Sequence, residues 1–97
     1  MKIFAANRLS NGNGLFPLQI IIDDIGVTIR KPGLIAAAEK TISYNIISSV
    51  ELHTPILGFT KIKINSIGLD STLAEGFERY DAETIRDLIY QYKKIWK

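Results

Sequence analysis

A chain of 97 residues with 46% hydrophobic and 23% charged residues is long enough for one modest core and too short for two. Twelve basic and ten acidic groups leave a net charge of only +2, so the calculated pI near 9.0 does not amount to the clustered basic excess of a nucleic-acid domain. The absence of Cys excludes disulfides and thiolate metal sites, and no apolar run approaches the roughly 20 residues of a membrane span.

These totals predict a single soluble domain over residues 1–97, with no cofactor and no transmembrane segment. A reducing, cytoplasmic setting fits the lack of Cys, and the opening MKIFAANRLSNGNG has too short an apolar stretch for a secretory signal. In chain order, KIFAANRL reads as a first strand. NGNG, Asn11 to Gly14, reads as a turn, because Asn and Gly tolerate positive φ. Leu18 to Asp23 is a short β-branched strand whose three consecutive isoleucines, Ile20 to Ile22, put apolar groups on both faces. DDIG turns the chain at Asp23 to Gly26. Val27 and Ile29 then alternate with Thr28 and Arg30 as a half-buried strand, which Pro32 and Gly33 stop. LIAAAE is too short before the next strand for a stable helix and reads as an extended connection or strand.

KTISYNIISSVEL, Lys40 to Leu52, has a broken rhythm. Ile42 and Tyr44 are two apart, Ile47 and Val50 follow at threes, and Leu52 comes two later. Two strands joined by a corner at Asn45 to Ser48 would let Tyr44, Ile47 and Val50 reach one core, and the leftover Ile46 marks a partner surface if it faces outward. TPILG breaks the chain at Pro55 and Gly58. TKIKIN alternates, with Ile62 and Ile64 on one face and Lys61 and Lys63 on the other. SIGL reads as a hairpin turn and Ser71 to Glu75 as a final strand. The period then changes. Ile85, Leu88, Ile89, Tyr92, Ile95 and Trp96 recur at threes and fours, which is one face of a helix. Asp81 is placed as its N-cap, with Tyr80 and Ile85 as a hydrophobic staple, Glu83 in the first turn, and Lys93, Lys94 and Lys97 at the end that attracts cations.

Six or seven short strands followed by one amphipathic helix predict a mainly β fold, a meander that closes on itself with the helix over the opening. An OB barrel competes, but its helix usually lies between strands, and a ferredoxin-like fold needs two helices. ISYNIISSVEL, with GVTIRKPGLIAAAEK before it and GFERYDAETIRDLI after it, resembles the bacterial pleckstrin-homology-like domains. The matching positions are Ile42, Tyr44, Ile47, Val50, Phe77, Asp81 and Ala82, within a resemblance over residues 18–93. It implies a barrel of two antiparallel sheets packed nearly orthogonally and capped by the C-terminal helix.

Catalytic signatures are lacking. His53 is the only histidine and reads as a surface residue at a strand end, and no Gly-x-Ser-x-Gly elbow is present. NGNG lacks the Lys-Ser/Thr of a phosphate loop, and Asp23–Asp24 has no EF-hand spacing. The binding candidates are basic, aromatic and apolar. Arg30 and Lys31 end one strand while Lys61 and Lys63 share a face of another. Were these strands neighbours, the four cations would form an anion site, with a solvated sheet face as the plainer reading. Phe59 has the parity to lie beside Lys61, so Phe59, Lys61 and Lys63 form a row able to meet a protein partner or nucleic acid. The Lys/Arg-x-Arg set by which pleckstrin-homology domains hold inositol phosphates is missing, since Arg8 and Arg30 stand without such partners. The reading is a non-catalytic interaction module for protein assembly or self-association through Ile20 to Ile22 and Ile46–Ile47. Anionic lipid or phosphate binding through the basic strand faces is the alternative, and nucleic acid a third.

Overall fold

The computed structural model describes residues 1–10, 14–33 and 37–95. Seven strands and one α-helix form among them: β1 (Lys2–Ala5), β2 (Gln19–Ile22), β3 (Gly26–Lys31), β4 (Ala38–Ser43), β5 (Ile47–His53), β6 (Thr60–Ser66), β7 (Leu69–Phe77) and α1 (Arg79–Ile95). The strands make two antiparallel sheets, ordered β1-β2-β3-β4 and β5-β6-β7, with the helix following all of them. The first three residues of NGNG and the first three of LIAAAE lie outside the described residues, and β4 begins within the latter's end at Ala38.

Alternation explains which side chains of β2, β3 and β6 enter the core, and in β7 a register shift against Thr60 to Ile62 sets the buried residues three apart. Ile20 and Ile22 of β2, Val27 and Ile29 of β3, Ile62 and Ile64 of β6, and Ala74 and Phe77 of β7 are buried together. The isoleucine run thus has one apolar residue on the far face, Ile21, which lies opposite Ile3 of β1 and Thr28 of β3. Ile20, Ile22 and Ile47 are buried within the domain, which leaves Ile21 and Ile46 as the partly exposed members of the two apolar runs.

The β2–β3 connection depends on Asp23. Its carboxylate accepts the Ile25 amide at 2.9 Å and the Gly26 amide at 3.1 Å, the local backbone capping that acidic turn residues provide. Gly26 has a second requirement, because a Cβ there would collide with the Ile42 carbonyl of β4.

The corner after β4 is a single 3-10 turn, Tyr44–Ile46, so Tyr44 belongs to the turn and not to a strand. A shift of register between Ile47 and Ser49 follows, which makes Ser48 the extra residue of a bulge. Turn and bulge together produce the steps of three and bring Tyr44, Ile47 and Val50 into one core. Ile46 is partly exposed, its side chain packs against the core cluster, and its carbonyl accepts the Ile67 amide at 2.7 Å. Tyr44 donates its hydroxyl to the Asp23 carbonyl, and its ring stacks on Tyr92 of the helix with centroids 5.3 Å apart.

Ala82, Ile85 and Ile89 bury one face of α1, with Leu88 and Tyr92 partly buried beside them. The helix begins earlier than the capping pattern predicts. The Ala82 amide already bonds the Glu78 carbonyl at 2.9 Å, which places Asp81 inside the first turn and not at the N-cap. Tyr80 is 78% exposed and forms no staple. Nothing between Glu78 and Asp81 disfavours helix, and the break in the chain is upstream at Gly76, where φ is 95°. Ile95, expected on the buried stripe, is 76% exposed, and Trp96 lies outside the described residues. Tyr90, off the stripe, reaches β5, where its hydroxyl accepts the Val50 amide at 3.0 Å.

Hydrogen bonds also link the parts of the two sheets away from the helix. The Asn7 amide bonds the Gly76 carbonyl at 2.8 Å, and Lys40 Nζ donates to Thr72 Oγ1 at 3.0 Å. No helix among the described residues is long and apolar enough to cross a membrane.

Candidate binding groove

Hairpin register builds the site. On the solvent side of the second sheet, Glu51 of β5, Lys63 of β6 and Leu73 of β7 lie opposite one another, and His53 lies opposite Lys61. One row further along, Asn65 Nδ2 donates to Ser49 Oγ at 2.9 Å and to Glu51 Oε2 at 2.6 Å, while Ser71 Oγ donates to Asn65 Oδ1 at 2.6 Å. This ladder of side-chain hydrogen bonds spans all three strands and braces the face on which the basic residues stand.

The β5–β6 loop folds over that face. Pro55 and Gly58, the latter with φ of 107°, shape it, and the Thr54 and Thr60 hydroxyls lie 3.3 Å apart across its base. His53, Thr54 and Pro55 form one wall of an open groove of about 570 Å³, and Phe59, Lys61, Lys63 and Leu73 form the rest. The groove thus combines an aromatic ring and an aliphatic side chain with two ammonium groups and an imidazole. Lys61 is held by Glu75 Oε1 at 3.3 Å, whereas Lys63 has no carboxylate partner among the described residues. An occupant with an apolar side chain beside a carboxylate or phosphate matches this lining.

The structure brings Phe59, Lys61 and Lys63 together and separates them from Arg30 and Lys31. The four-cation anion site is therefore corrected, because β3 pairs with β2 and β4 in the first sheet while β6 pairs with β5 and β7 in the second. Arg30 faces a partner of its own, with Nε 3.2 Å from Glu39 Oε1, close enough for an ion pair but poorly aligned for a hydrogen bond. Lys31 is exposed at the end of β3. Sequence reasoning treated His53 as an isolated surface residue and passed over Leu73. Both follow from strand register, which parity alone does not supply.

No group of three or more His, Cys, Asp or Glu able to hold a metal ion forms among the described residues. A scan of protein-family models and a search of curated proteins return no match for this chain.

Proposed function

We propose that this chain is a pleckstrin-homology-like, non-catalytic interaction module that receives a segment of a protein partner in the groove beside β6. The observation that carries the reading is the convergence of Phe59 and Leu73 with His53, Lys61 and Lys63 on one open groove. An apolar floor beside Lys63, which makes no ion pair among the described residues, suits an extended peptide that presents an apolar and an acidic residue in alternation. The architectural part of the proposal is a partly open barrel, in which the two sheets pack nearly orthogonally and the helix covers one end. Its support is the order of four strands, three strands and a terminal helix, with Ala82, Ile85 and Ile89 inserted in the core.

A photo-crosslinking residue at position 59, introduced in the native cell, tests the function. The expected result is a discrete adduct with a protein, whether a different chain or a second copy, that Lys63→Glu diminishes. Absence of any protein adduct from position 59 would overturn the reading.

A further inference from the structure

The apolar stripe of α1 is longer than the core that covers it. Tyr92 stacks on Tyr44 of the 3-10 turn, and Ile95, one turn further along the same face, is 76% exposed. Other aliphatic side chains are bare at that end of the molecule. Ile25, at the tip of the β2–β3 turn, is 65% exposed, and Ile67 and Leu69, on either side of Gly68 in the β6–β7 turn, are 67% and 54% exposed. Two hydrogen bonds gather these turns around the 3-10 turn. The Tyr44 hydroxyl donates to the Asp23 carbonyl, and the Ile67 amide donates to the carbonyl of the partly exposed Ile46. The 3-10 turn thus stands in the middle. The helix end lies against Tyr44 on one flank, and the β6–β7 turn against Ile46 on the other.

The two flanks carry opposite charges that the fold leaves unanswered. Asp70, the second residue of β7, is exposed and makes no ion pair among the described residues. Lys93 and Lys94, in the last turn of the helix, make none either. Of the other two carboxylates at this end, Asp23 is held by the Ile25 and Gly26 amides, and Asp24 is engaged within the chain.

We propose that this end pairs with the same end of a second copy in a two-fold dimer. Ile25, Ile46, Ile67, Leu69 and Ile95 form its apolar centre, and Asp70 of each copy meets Lys93 of the other. A two-fold axis beside the 3-10 turn lays the helix end of one copy on the β6–β7 turn of its partner, and the same contact forms twice. The apolar centre excludes water, while opposite charges at the rim fix the orientation. A different protein would have to supply an acidic and a basic flank at matching spacing, whereas a second copy has both by symmetry. The proposal goes beyond the groove reading, because no residue of the groove takes part.

Sedimentation equilibrium of the full chain across the micromolar range is the test. The wild-type chain should pass from monomer to dimer. Ile67→Asp and Ile95→Asp should each weaken the dimer by about tenfold or more with an unchanged circular dichroism spectrum, since each charge is buried only in the pair. Charge reversal gives a sharper reading. Asp70→Lys alone and Lys93→Asp alone should each dimerise more weakly than the wild type. An equal mixture of the two should recover the dimer, because every contact in the mixed pair is again between opposite charges. Lys63→Glu, in the groove, should leave dimerisation unchanged. A wild-type chain that stays monomeric at high micromolar concentration overturns the proposal, as does a dimer that both isoleucine variants retain or that Lys63→Glu abolishes. Reversal variants that associate no better together than apart overturn it too, and so does assembly that grows past the dimer.

Discussion

Tyr44 joins three separate parts of the fold. Its ring is buried against Tyr92 and its hydroxyl bonds the Asp23 carbonyl, so one residue ties the β2–β3 turn, the chain's corner and the helix. Burial pushes its phenol well above the ordinary range near 10, and the nearby charge of Asp23 adds to the effect. The folded state therefore holds this proton more tightly than the unfolded state does. That contribution to stability is fully present below about pH 10 and is lost as pH rises above it, because the unfolded chain then ionises first. Urea midpoints measured across alkaline pH should fall accordingly. Tyr44→Phe should remove that part of the fall and, at neutral pH, cost about 1 kcal/mol for the lost hydrogen bond.

Among the elements, α1 was the most legible in the sequence and its start the least. The steps of three and four identify Ile85 and Ile89, and both are fully buried. Ile85→Ala should lower stability by about 2–5 kcal/mol, as large-to-small core changes do, whereas Lys94→Ala on the exposed side should stay within about 0.5 kcal/mol. Equilibrium denaturation separates the two. Asp81 resembles a cap by residue type, but the first bond is set where the preceding strand releases the chain, after Gly76 and the buried Phe77. The broken rhythm of KTISYNIISSVEL announced a corner between two strands. It did not announce that half of the irregularity is a bulge at Ser48, because a bulge is a relation to the partner strand. The same reason separates the two outcomes at the basic residues. Phe59, Lys61 and Lys63 share one strand and its approach, so parity groups them. Whether Arg30 and Lys31 join them depends on sheet membership, which local sequence does not encode.

On the scale of the whole molecule, the proposed binding surface is the groove on the solvent side of the second sheet. The groove was not visible as a unit in the sequence, since His53 and Leu73 enter it only through long-range pairing. The contact between Tyr90 and Val50 has a consequence of a different kind. β5 borders its sheet, and on the side away from β6 the Tyr90 hydroxyl occupies the Val50 amide. A bare strand border is a template for pairing with other chains, so the helix guards against aggregation as well as completing the core. Tyr90→Phe should leave the melting temperature nearly unchanged while speeding hydrogen exchange at the Val50 amide. On prolonged mild heating it should also shorten the lag before fibrils form, as followed by thioflavin fluorescence; an unaltered lag would show that the border is protected by other means.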